Sequence, residues 1–135
     1  MNDREDSRRA PLVILLALVS TFAIQRTILH HSSPDTHVHI RGYLVHHLFS
    51  GAILQTTAAL VLACGTGASW MRVLARLALG VGSAMVLDEV IYLVCTDGSG
   101  VAYRGPVSLW GAVVLESLAA GLLLGLYRFA RRQDA

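Results

Sequence analysis

Four stretches of this chain are apolar over lengths that match a bilayer, and that feature constrains the fold more than any other. A helix needs about 20 mostly apolar residues to cross the hydrocarbon. Residues 43–64, 73–95 and 107–127 meet that length cleanly. Residues 11–29 form a weaker fourth segment, with a clean apolar run from Leu12 to Ile24 followed by Gln25 and Arg26. Pro11 suits the first turn of a helix, where its missing N–H does no harm. An Arg-bearing start (Arg4, Arg8, Arg9) also resembles the opening of a signal peptide. No small-x-small cleavage site follows it, and Thr27, Ile28 and Leu29 extend the segment, so the expectation is a retained first span.

Composition closes off the other classes. Charged residues make up only 15% of the 135, against 54% apolar. A soluble domain carries roughly 25% charged residues, so this chain lacks the polar surface of a soluble enzyme or a disordered tail. The net charge of +2 gives no footing for nucleic acid. All 11 basic residues are Arg. Two cysteines, Cys64 and Cys95, end successive spans on opposite sides, too far apart for a disulfide.

Arg distribution sets the expected orientation. With a cytoplasmic N-terminus and four spans, eight Arg (4, 8, 9, 72, 76, 128, 131, 132) fall inside and three (26, 41, 104) outside. Both termini are then cytoplasmic. The links, residues 30–42, 65–70 and 96–105, are short, which makes sequential helices antiparallel. The expected fold is all-α: an up-down four-helix transmembrane bundle, one domain, in a cell membrane of prokaryotic inner or plasma type. Small residues at spacing four (Ala78/Gly82, Gly80/Ala84, Ser117/Gly121/Gly125) let helices approach closely. They serve contact within the bundle or the seam of a homo-oligomer.

Polar groups inside a span cost free energy unless paired or hydrated, so they carry the functional signal. Asp88 and Glu89 lie in the third span and Glu116 in the fourth. At 1.5 Å per residue, Asp88 sits roughly 10 Å below the outer end of its helix. All six histidines (30, 31, 37, 39, 46, 47) fall on the outer side, and His39 and His46 share a face if the second helix begins near Asp35. Imidazoles with carboxylates form a ligand set suited to Zn²⁺, or to non-haem iron or manganese. The expected metal ligands are His39, His46, His47 and Asp88. Glu89 is the expected general base for metal-bound water, and Glu116 a deeper catalytic or proton-accepting group.

Each group also has a plain reading. Asp88 and Glu89 pair with Arg41, Arg104 or protonated histidine, and hydrogen-bond to Tyr92 or Tyr43. Glu116 is a neutral acid bonded to a neighbouring helix. Tyr43, Tyr92, Tyr103, Trp70 and Trp110 are interfacial anchors. No HExxH is present, and the HxxxH and HxxHH spacings of membrane desaturases are not reproduced.

The segment His46-His47-x-x-x-Gly51 opening one span, with Leu87-Asp88-Glu89 in the next, resembles a group of small prokaryotic four-helix membrane proteins. The resemblance covers spans two and three and implies a shared polar site in the outer leaflet, without an activity. The CREST membrane hydrolases offer an analogy, three His and an Asp around zinc near one membrane face, but they have seven spans and their motifs do not align here. Two functions follow as expectations. The first is a metal-dependent hydrolase acting on a lipid or other amphiphile, with iron-based oxidation as a variant. The alternative is a non-enzymatic metal- or proton-binding or transport protein, or a partner subunit of a membrane complex.

Overall fold

The computed structural model describes residues 3–31, 39–40, 43–44, 46–65 and 68–132, with side chains from 8–31, 46–65 and 68–132. Helix α1 covers Asp3–His31, α2 His47–Cys64, α3 Ser69–Cys95, α4 Gly100–Tyr103 and α5 Pro106–Arg132. Two short strands, β1 (His39–Ile40) and β2 (Tyr43–Leu44), pair antiparallel in the register His39↔Leu44 and Ile40↔Tyr43. Four helices are long and apolar enough to cross a membrane: Arg8–His31, His47–Cys64, Ser69–Cys95 and Pro106–Arg132.

Several boundaries differ from the sequence reading. Helix α1 begins at Asp3, so Pro11 lies inside it rather than in its first turn. The second span starts at His47, not at 43, because Tyr43 and Leu44 pair with Ile40 and His39. A helix from Asp35 that would put His39 and His46 on one face is therefore not formed. The 96–105 link holds an unforeseen helical turn, α4.

Helix α3 is the hub. It packs against α1, α2 and α5; α1 also packs on α5, while among the described residues α2 packs on no long helix but α3. Two faces of α3 explain this. Gly80, Ala84, Asp88 and Tyr92 recur every four residues and are buried. A Cβ at Gly80 would lie 2.5 Å from the Ile14 carbonyl of α1. Ala75, Gly82 and Glu89 recur every seven and are also buried. A Cβ at Gly82 would sit 2.6 Å from the Gly51 carbonyl of α2. The small residues of α3 thus seat neighbouring backbones, as small residues do in membrane bundles. Gly121 and Gly125 behave differently: added Cβ atoms there would meet open space, so this pair takes no part in contacts among the described residues.

Large apolar side chains such as Leu16, Ile53, Val94, Leu118 and Leu122 point outward and are exposed. The buried set instead holds Arg76, Asp88, Glu89, Ser108 and Glu116 beside alanines, Leu18 and two tyrosines. Polar interior with apolar exterior inverts the pattern of a protein in water and fits a lipid surround. The chain is a helical-bundle, multi-pass membrane protein in class.

Candidate functional site: a charged cluster at one end of the bundle

The cluster grows from α3. Asp88 and Glu89 are adjacent, so their side chains leave the helix about 100° apart. Asp88 turns toward α1 and α5, and Glu89 toward α2. Two turns above Leu18 on α1, Arg26 lies on the face that carries Leu18 and Phe22. Its Nε donates to Asp88 Oδ1 at 2.6 Å. Its Nη2 reaches the Asp88 carbonyl at 3.4 Å and both the carbonyl and Oγ of Ser108 at 3.3 Å. Asp88 is wholly buried and the Arg26 side chain is only 12% exposed. One guanidinium therefore ties α1, α3 and α5 together.

Glu89 does the corresponding work for α2. A helix N-terminus leaves its first N–H groups without partners, and the residue in the capping position, His46, makes no side-chain cap. Glu89 Oε2 accepts from the Leu48 N–H at 2.7 Å, capping α2 from the neighbouring helix. A carboxylate here also meets the positive end of the helix dipole. The other oxygen, Oε1, lies 3.1 Å from His46 Nδ1 and 3.3 Å from His47 Nδ1.

His47 faces both acids. Its Nε2 is 3.2 Å from Asp88 Oδ2 while its Nδ1 is 3.3 Å from Glu89 Oε1. Tyr103 completes the group: its hydroxyl donates to Asp88 Oδ2 and sits 3.3 Å from His47 Nε2. The 96–105 link holds it there. Asp97 Oδ1 accepts from the Ser99 N–H, and Ser99 Oγ caps α4 through the Ala102 N–H. The Ser99 bond keeps the Asp97 carboxyl below its ordinary range. Tyr92 donates its hydroxyl to the Gly98 carbonyl, and Gly98 adopts a φ of 74°. The Tyr92 and Tyr103 rings meet at 4.8 Å, and the Arg26 guanidinium lies 5.2 Å from the Tyr103 ring centre. Burial, then the negative charge of Asp88 and the bond to it, push the Tyr103 hydroxyl above the ordinary tyrosine range.

Of the residues expected to form the site, His46, His47, Asp88 and Glu89 come together. The side chains of His39 and Tyr43 lie outside the described residues, as do His37 and Arg41 altogether. Glu116 sits below on the buried stripe Ser108–Ala112–Glu116 of α5. Neither of its oxygens has a hydrogen-bond partner among the described residues, so the neighbouring-helix bond expected for it is not formed there. Among the described residues, no three His, Cys, Asp or Glu side chains are arranged to hold a metal ion.

Sequence reasoning missed Arg26 and Tyr103. By sequence position alone, Arg26 reads as an outer-side charge and Tyr103 as an interfacial anchor. The available signal for Arg26 was an arginine within a span, eight residues after Leu18 and so on the same helix face. Tyr92 is likewise buried, at 2% exposure, rather than interfacial. Cys64 and Cys95 are both exposed and free.

No protein-family model matches the chain, and no curated protein or solved structure is detectably similar to it. The likeness to small prokaryotic membrane proteins therefore stands on the two short motifs alone.

Proposed function

We propose that this chain is an up-down bundle in a cell membrane, with both termini cytoplasmic, that binds a proton in its outer half and couples that proton to the docking of α2 on α3. One observation carries the reading: both ring nitrogens of His47 face carboxylate oxygens. The Nε2 contact is a hydrogen bond to Asp88 and the Nδ1 contact a close approach to Glu89. An ionised carboxylate only accepts hydrogen bonds, so a ring with hydrogen on both nitrogens suits both contacts. Arg26 and His47 then balance Asp88 and Glu89, and the quartet is neutral. Loss of the imidazole proton leaves a net negative charge in a medium where unpaired charge is expensive.

The consequence falls on α2. Among the described residues its long-helix neighbour is α3 alone, and its N-terminus is held by Glu89 and by the two imidazoles. Releasing the proton weakens the His47 bridge and loosens that end. Glu116 is the deeper proton acceptor of this scheme. The reading makes the protein a proton-responsive membrane subunit rather than an enzyme.

A second reading keeps a foothold in one observation. Two imidazole nitrogens lie within 3.3 Å of the same Glu89 oxygen, so a divalent ion, zinc foremost and iron or manganese as variants, could replace the proton. Hydrolysis of a lipid or amphiphile, with Glu89 or Glu116 as base, belongs to that reading.

Nitrogen NMR of histidine-labelled protein in nanodiscs, with hydrogen exchange at the Leu48 amide, tests the proposal. The expected result is a protected Leu48 amide whose protection changes together with the His47 ring protonation and is lost in His47→Gln. Leu48 protection indifferent to the His47 ring protonation or to His47→Gln overturns it. Stoichiometric metal in gently purified protein, lost in His46→Ala or Asp88→Ala, replaces it with the metal reading.

A further inference from the structure

Beside Arg26, the last turns of α1, Arg104 of the α4–α5 link and the start of α5 line an open groove of about 450 Å³. That size falls in the roughly 300–1,000 Å³ range of small-molecule sites. Arg26, His30, His31 and Arg104 supply its polar lining, and Leu29 and Leu109 its apolar wall. Every ionisable side chain among these is basic. Arg26 spends Nε and Nη2 on Asp88 and Ser108, while Nη1 has no hydrogen-bond partner among the described residues. A guanidinium edge, a second arginine and two imidazoles converge over an apolar wall.

We propose that this groove binds a phosphate-type anion, and that its occupant is the headgroup of an anionic membrane lipid. Guanidinium groups bind phosphate through paired, charge-assisted hydrogen bonds. Ile28 and Trp110, next in sequence to Leu29 and Leu109, are exposed apolar side chains, which suits an acyl chain lying beside the groove. A free phosphate would leave that wall unused. The site lies at the end of the bundle where the α1 C-terminus and the α5 N-terminus meet, at the depth of lipid headgroups if the chain spans the membrane as proposed. It rests on that placement; Arg26 is shared with the Asp88 cluster, while His30, His31 and Arg104 lie outside it.

Native mass spectrometry of the full chain, released from nanodiscs of phosphatidylcholine doped with phosphatidylglycerol, tests this. The wild type is expected to retain one phosphatidylglycerol in preference to phosphatidylcholine. Arg104→Gln should weaken that retention about fivefold, as expected for one basic residue acting on an anionic lipid. His30→Gln should weaken it further, while Arg128→Gln, at the opposite end of α5, should leave it unchanged. Inorganic phosphate supplied alone distinguishes the source. Failure of phosphate to displace the lipid assigns the groove to the headgroup; displacement by millimolar phosphate overturns that assignment in favour of a free anion. Equal retention of both lipids, or retention unaffected by Arg104→Gln and His30→Gln in a variant that still unfolds cooperatively, overturns the site itself. Neither result would move the His47 nitrogen spectrum, so the two proposals fail separately.

Discussion

Replacing Arg26 with methionine isolates the interaction on which the bundle's charged end depends. The substitution keeps an unbranched apolar stem on the α1 face and removes the guanidinium. Asp88 then loses its 2.6 Å partner while fully buried, and Ser108 loses both of its contacts to Nη2. Breaking a buried pair by deleting one partner costs about 3–5 kcal/mol, because the remaining charge is stranded. Solvent screening offers little relief, since the two side chains are 12% and 0% exposed. Asp88→Asn alone should cost less, because a lone arginine can reach toward the interface along its flexible stem. The double variant Arg26→Met/Asp88→Asn should recover at least about 2 kcal/mol relative to the sum of the singles, well above the roughly 0.6 kcal/mol typical of side-chain hydrogen bonds in a membrane bundle. Reversible unfolding in mixed micelles, followed by circular dichroism as denaturing detergent is added, measures all four corners of the cycle. A single-variant loss below about 1 kcal/mol, or additivity within about 0.5 kcal/mol, would refute the claim that this pair holds α1 to α3.

Other consequences are as concrete. Gly82→Val should cost more than about 2 kcal/mol by forcing α2 off α3, because a Cβ there already meets the Gly51 carbonyl at 2.6 Å. Gly121→Val, with open space around it, should stay within about 0.5 kcal/mol in the same unfolding assay, and a larger loss would reveal a second copy against that face. Glu89→Ala should destabilise by about 1 kcal/mol through loss of the α2 cap and abolish slow exchange at the Leu48 amide, whereas Glu89→Gln should retain part of that protection. The raised Tyr103 hydroxyl favours the protonated form in the folded state. Its stabilising effect is therefore complete below the ordinary tyrosine value of 10.0 and declines as pH climbs above it. Tyr103→Phe should flatten that alkaline decline in a stability–pH series, and an unchanged decline would remove Tyr103 as its source.

The membrane class, the four spans and the meeting of His46 and His47 with Asp88 and Glu89 were legible in the sequence. They follow from local quantities: runs of apolar residues as long as a bilayer is thick, and charged or imidazole side chains at similar depth, which have few places to go. The seating glycines of α3 were legible for the same reason, since spacing along a helix fixes the face. What the sequence could not state was which face meets which neighbour. Helix rotation and packing order are decided by contacts between segments far apart in the chain, and these made α3 the hub and left α2 with one long neighbour. They also turned Arg26 inward to Asp88, 62 positions away, and folded the 96–105 link so that Tyr103 covers the acids. An arginine near a span end reads the same from sequence whether it reaches out to water or in to a carboxylate. Only the assembled helices choose, because the gain from pairing exists only once both partners have been brought to one place.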